Sequence, residues 1–307
     1  MTSPGVFFNR LLEREAVKAQ RVKLDFVRFS TTITIMNAIA LSDQAGHPAG
    51  IPLLFPELAR RWGGLAAVVF LASFTLLAAE AVLTGDPIAT PEGDLIIHPI
   101  NHATLALGWM DKIIYVDPVG GAKRFQGLPH PDLVLITDIH SDHLDVPTLE
   151  AVASSQTVFV APPEVISRLP ASLRSRTTEL ANHQAKSMLG LMIEAVPAYN
   201  LATDRRQYHP KDRGNGYVLT LGSKRIYLSG DTEDTPEMRA LKNIDVAFVC
   251  MNLPYTMNVK QAAEAVRAFH PKIAYPYHYR GSDLEQFKKL AGTDSGVEVR
   301  IRDWYAP

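Results

Sequence analysis

Thr137-Asp138-Ile139-His140-Ser141-Asp142-His143 places two histidines and two carboxylates within six consecutive positions. The stretch follows Leu133-Val134-Leu135-Ile136, a continuous apolar run bounded by polar residues, which reads as a buried strand. A strand that ends in such a cluster aims several ligating side chains at one point. Imidazole nitrogen combined with carboxylate oxygen suits zinc, manganese or iron better than calcium.

The same grammar extends on both sides. Upstream, Leu95-Ile96-Ile97, Thr104-Leu105-Ala106-Leu107 and Lys112-Ile113-Ile114-Tyr115-Val116 read as strands, and Asp117-Pro118-Val119-Gly120-Gly121 is a strong turn signal. Helical patterns follow at 146–153 and 163–169. A second strand series occupies 191–196, 217–221 and 225–228, with a tight hairpin turn at Leu221-Gly222-Ser223. Then come a helix at 236–241, a strand at 245–249, a helix at 258–269, a strand at 272–275 and a helix at 283–291. Strands followed by mixed strands and helices, twice over, predict a layered α/β sandwich.

The chain divides near residue 85. Leu65 to Leu83 is apolar except for Ser73, Thr75 and Glu80, and nearly 20 such residues suffice to cross a bilayer. Arg60 and Arg61 precede this run and acidic residues follow it. That asymmetry places the downstream domain outside the cytoplasm, either periplasmic or secreted, or anchored by 65–83; a cytoplasmic domain is the alternative. Ala79-Glu80-Ala81 also fits a signal cleavage site. The expected organisation is an extension over 1–64, a transmembrane or signal segment over 65–85, and the principal domain over 90–307. The extension is either a real cytoplasmic segment or the product of a start placed too far upstream.

Composition narrows the partners. The 307 residues carry a formal net charge of -1, so no basic field points to nucleic acid. A small-molecule substrate is expected instead. The single cysteine, Cys250, follows Val246-Ala247-Phe248-Val249 and reads as a buried core thiol.

Three further segments place candidate ligands at strand ends. Ser229-Gly230-Asp231-Thr232 closes one strand, and Pro276-Tyr277-His278-Tyr279 closes another. Asn101-His102-Ala103-Thr104 lies near the start of the domain. With Asp138-x-His140-x-Asp142-His143, these four motifs in this order resemble the metallo-β-lactamase superfamily. The opening and Asn252-Leu253-Pro254-Tyr255-Thr256-Met257 resemble its branch of ascorbate-phosphate lactonases and related hydrolases. The resemblance covers roughly residues 90–307.

It implies a four-layer αββα sandwich and a metal-dependent hydrolase. A metal-bound hydroxide would act on a lactone, ester, amide or phosphodiester, with one or two divalent ions, zinc first and manganese or iron as alternatives. Asp142, His143 and Asp231 carry the catalytic roles in this reading, with Asp231 bridging. Asp142, His143, Asp231 and His278 form one site, and Asp138, His140 and Asp231 contribute to a second.

The chain departs from the family pattern at Asp138, which stands where a histidine is usual. A third histidine is also missing from the strand end Val196-Pro197-Ala198-Tyr199-Asn200. Asn200 takes that position, or His209 supplies the ligand from downstream. A more oxygen-rich site favours manganese or iron, binds weakly or stays empty, or Asp138 orients a histidine instead. His102, Asn200 and Tyr279 are candidate substrate contacts or supports of the ligands. The alternative function is a redox or non-catalytic metal-binding protein on the same scaffold.

Overall fold

The computed structural model describes residues 81–305. Most of the apolar run at 65–83 lies outside this range. Its last residue, Leu83, is buried against the first sheet. Among the described residues, no helix is long and apolar enough to cross a membrane.

Among the described residues, fourteen strands form two seven-stranded sheets. The first sheet runs β1 (Asp86–Ile88), β2 (Leu95–Asn101), β3 (Thr104–Trp109), β4 (Lys112–Val116), β5 (Leu133–Leu135), β6 (Val158–Ala161) and β7 (Thr177–Glu179). The second contains β8 (Ala185–Met188), β9 (Leu191–Ala198), β10 (Gly214–Leu221), β11 (Lys224–Leu228), β12 (Val246–Cys250), β13 (Ile273–Tyr277) and β14 (Glu298–Val299). Each sheet follows one plan. Four strands pair antiparallel, from β1 to β4 and from β8 to β11, and the remaining three add in parallel.

Parallel pairs need crossovers. A 3-10 turn at Ala122–Phe125 lies between β4 and β5, and α1 (Val146–Val152) between β5 and β6. The short helices α2 (Pro163–Arg168) and α3 (Ala171–Arg174) lie between β6 and β7. In the second half, α4 (Pro236–Arg239), α5 (Val259–Phe269) and α6 (Leu284–Gly292) alternate with β11 to β14. The helix starts are written in the sequence. Asp145 caps α1 by accepting from the Thr148 amide, and Asn258 forms a reciprocal capping box with Gln261 at α5.

The period of two along β5 decides how the layers stack. Leu133 and Leu135 join a core shared with the second sheet, whereas Val134 and Ile136 pack with Leu149, Val165 and Leu173 from α1, α2 and α3. All four are fully buried. At roughly 1.5–3 kcal/mol per buried aliphatic side chain, this fixes the register of a three-residue strand. Cys250 is buried, as its sequence context suggests, and burial pushes its thiol up to about 11.

Two cross-links tie the halves together at the end of β5. The Asn215 amide donates to the Thr137 carbonyl at 2.9 Å, and the Tyr217 hydroxyl donates to the Ile136 carbonyl at 2.8 Å. The segments leaving β4, β5, β11 and β13 therefore meet along one edge. In open α/β sheets, that carboxyl edge is where ligands bind.

Candidate metal centre

Four buried ligand atoms converge where the two sheets meet. They are Nε2 of His143, His209 and His278, and Oδ1 of Asp231, and none makes a hydrogen bond. The ring nitrogens of His143 and His209 lie 3.3 and 3.2 Å from Asp231 Oδ2, and that of His278 lies 3.3 Å from Oδ1. Leaving buried polar atoms unpaired costs roughly 1–3 kcal/mol each. A shared cation would satisfy all four, so the donor set fits a divalent metal of mixed nitrogen and oxygen preference. The ligand atoms of His143, Asp231 and His278 lie within 4.8 Å of one another.

Backbone geometry aims these side chains. Gly230 adopts φ +60°, and a Cβ there would sit 2.6 Å from the Asn215 carbonyl oxygen. Glycine is thus required beside Asp231. His278 lies at φ 47°, costly for a non-glycine residue. Its amide donates to the His102 carbonyl at 3.0 Å, and its own carbonyl accepts from Met251.

The tautomer of His143 follows from its other nitrogen. Nδ1 lies 2.8 Å from Asp117 Oδ2, and Asp117 also accepts from the Thr137 amide and hydroxyl. With Nδ1–H donated to this carboxylate, Nε2 offers its lone pair to the site. Asp117 directly follows β4 in the turn recognised from sequence, but turn chemistry alone does not reveal its His143 partner. Burial opposes a charge on His143, yet Asp231 and Asp117 hold its pKa well above the usual histidine range.

Asp142 is held from a second direction. His102 Nε2 lies 3.2 Å from its Oδ2, and His102 Nδ1 lies 2.5 Å from the Tyr305 hydroxyl. Tyr305 in turn accepts from the Arg280 amide at 3.1 Å. One consistent assignment has Arg280 N–H donating to Tyr305, Tyr305 O–H to His102, and His102 N–H to Asp142. His102 then orients the carboxylate while its ring packs on His278 at 3.7 Å between centroids. Burial works against the charge on Asp142, but His102 and His278 hold its carboxyl well below the usual range.

The other side of the centre contains Asp138, His140 and His209, whose ligand atoms also lie within 4.8 Å of one another. The strand-end position belongs to Asn200, whose side-chain nitrogen faces the neighbouring loops and whose buried Oδ1 makes no hydrogen bond. Its Nδ2 donates to the Arg205 and Tyr255 carbonyls, and its backbone amide donates to the His209 carbonyl. Asn200 thereby fastens the loop that delivers His209. His209 Nδ1 faces the Tyr255 carbonyl at 3.1 Å, leaving Nε2 turned inward.

Sequence reading missed Arg213. Its guanidinium grips both oxygens of Asp138, at 3.1 and 3.2 Å, and also bonds the Tyr208 carbonyl. The same group stands 3.4 Å from His140 Nε2, while His140 Nδ1 lies 2.7 Å from Asp138. A lone arginine ahead of Gly214-Asn215-Gly216 gives no periodic signal, and only the loop geometry brings it here. Tyr279 lies apart from the cavity lining. Its hydroxyl donates to the Arg302 carbonyl and accepts from the Trp304 amide, securing the C-terminal segment.

The centre opens into a cavity of about 810 Å³. Asp142, His209, Asp231 and His278 line its floor, and Leu253, Tyr255 and Arg280 also line it.

Comparison with known proteins identifies the family. A family model described as the beta-lactamase superfamily domain matches residues 113–279, more than half of the chain. A UPF0173 metal-dependent hydrolase from Pyrococcus abyssi is 29% identical over 215 residues, covering 65% of this chain and 93% of that protein. One from Thermoplasma acidophilum is 35% identical over 176 residues, covering 53% and 74%. Among solved structures, a provisionally described metal-dependent hydrolase from Parabacteroides distasonis is 41% identical with a TM-score of 0.67, spanning 73% of this chain and all of that one. The metallo hydrolase Igni18 from Ignicoccus hospitalis, 20% identical with a TM-score of 0.59 over 69% of this chain and 96% of its own, shares the fold. The chain belongs to the β-lactamase superfamily.

Proposed function

We propose that this protein is a metal-dependent hydrolase acting on a small molecule in the cavity above Asp231. The observation that carries this reading is the convergence of three unpaired histidine nitrogens on Asp231. The family and the relatives named as metal-dependent hydrolases support it. The packing clusters on both faces of β5 support the expected αββα layering.

His143, Asp231 and His278 would hold a divalent ion together with Asp142, and His209, His140 and Asp138 would hold a second, with Asp231 within reach of both groups. A bound divalent ion lowers the pKa of coordinated water to about 7 and polarises a carbonyl or phosphoryl oxygen. The chain's own residues prepare that chemistry. Asp117 fixes the His143 tautomer, and His102 steers Asp142. Burial excludes bulk water from His143, Asp231 and His278, whereas Asp142 keeps 46% of its side chain exposed and so reaches the substrate side. Asp142 is therefore the member of this set that faces the substrate, and its lowered pKa keeps it ionised there. Zinc is the first choice for this donor set, with manganese or iron more suited to the Asp138 side. Lactones, esters, amides and phosphodiesters remain the substrate classes to screen.

Elemental analysis of the gently purified full chain, paired with that screen, tests the reading. At least one divalent metal per chain and turnover abolished by chelation are expected. A protein that binds no divalent metal under reconstitution overturns it.

A further inference from the structure

We infer that the substrate carries an anionic group, a carboxylate or phosphoryl oxyanion, which Arg280 binds at the rim of the cavity. This rests on the hydrolase reading and adds a substrate class to it. Arg280 is the one lysine or arginine lining the cavity among the described residues. Arginines near the centre are already engaged. Arg213 is committed to Asp138, Arg205 to Glu233, and Arg302 to Asp86. Among the described residues, Arg280 differs in having no carboxylate within 4.0 Å and no side-chain hydrogen bond.

Its position is nevertheless built. The guanidinium stands over the Tyr305 ring, 5.4 Å from the centroid, and its backbone amide bonds the Tyr305 hydroxyl. A face held by an aromatic ring leaves the in-plane N–H fork free for a planar or tetrahedral oxyanion. Tyr305 also bonds His102, which steers Asp142, so the cation is placed in fixed relation to the centre.

The remaining walls describe the rest of the ligand. Leu253 and Tyr255 are 51% and 46% exposed, and Tyr208 packs edge-on against Tyr255 at 5.1 Å. They offer an apolar face beside the charge. Beyond Leu253 and Arg280 the cleft continues into a groove of about 450 Å³ lined by Asn258 and Gln286. An amphipathic anion with its scissile bond at the centre and its charge at Arg280 matches this layout.

Matched esters decide the matter. Zinc-reconstituted full chain and its R280A, R280K and R280E variants would be assayed with 4-nitrophenyl hexanoate and the mono-4-nitrophenyl ester of adipic acid. These differ in a terminal methyl against a carboxylate. In parallel, calorimetry would follow binding of monomethyl adipate and methyl hexanoate, with melting temperatures reporting folding. R280A should lose about 10–100-fold in kcat/KM or affinity for the anionic member. That loss should exceed the loss for the neutral member at least tenfold, with R280K intermediate and R280E worst. Equal losses for both members would overturn the proposal. Arg280-dependent competition by adipate assigns a carboxylate, and competition by inorganic phosphate assigns a phosphoryl group. If the wild type hydrolyses neither ester, the ester form of the hydrolase reading fails, and the calorimetric pair still decides Arg280.

Discussion

The two sides of the centre use similar residue types and reach different states. On the His143–Asp231–His278 side, each histidine is buried and its inward nitrogen has no hydrogen-bond partner. On the Asp138–His140–His209 side, Asp138 is already paired with Arg213, and His140 is partly exposed and near the same guanidinium. Both carboxylates are held below their usual range. For Asp231 the charges of His278 and His143 overcome burial; for Asp138 burial is overcome by His140 and nearby charges that include Arg213. A resident guanidinium supplies part of the countercharge that a metal would otherwise provide. The first side thus leaves its donor set free for a cation, whereas the second is partly neutralised by the chain itself.

The largest expected effect comes from removing Asp231, which both sides share. Asp231→Ala should lower metal content and reduce turnover on the order of 10³-fold or more, since several kcal/mol of charge stabilisation disappear. Asp138→Ala should cost far less. Parallel measurements of metal content and kcat that find the two variants equally damaged would break the asymmetry.

Two substitutions next to the ligands should move in opposite directions. Asp117→Asn removes the carboxylate behind His143 and should weaken metal binding about 10–100-fold. Arg213→Gln frees Asp138 and should raise binding at the other side, bringing metal stoichiometry closer to two per chain. Without metal, the same change should destabilise the fold by roughly 3 kcal/mol, because a buried carboxylate loses its partner. Titration calorimetry and thermal melts read both, and a drop in stoichiometry for Arg213→Gln would show the arginine to be a support of the second ion.

The smallest effect is in pH. The pKa of His143 is raised in the metal-free fold, so a proton must leave before Nε2 can ligate. Affinity should therefore strengthen about tenfold per unit as pH rises above about 6.5 and level off past the raised value. Folding runs the other way. The His143 contribution is complete below about 6.5 and is lost as pH rises through the folded-state pKa. Affinity that stays flat between pH 6.5 and 8 would place the controlling proton elsewhere.

Much of this centre was legible because strands write their ends into sequence. Asp142, His143, Asp231 and His278 each follow an apolar run, and Gly230 marks the sharp turn that Asp231 needs. His209 was weaker. It lies well past the end of β9 and reaches the site only because Asn200, Tyr255 and the Arg205–Glu233 pair fold its loop back. Arg213 and Asp117 act through side-chain partners 75 and 26 residues away, and such distances leave no periodic trace. The short edge strands β1, β7, β8 and β14 were also missed, as two to four partly exposed residues carry little alternation.

Asp142 and His143 hang from the first sheet, whereas Asp231 and His278 hang from the second. A cation gripped by all four is a rivet through the seam between the sheets. Its binding energy becomes resistance to separation of the halves, growing as RT ln(1 + [metal]/Kd). At a hundredfold excess over Kd this is about 2.7 kcal/mol, a large share of the net stability of an ordinary domain. On the proposed reading, the supply of metal in the surroundings would set how much of the chain is folded, as well as whether it turns over substrate.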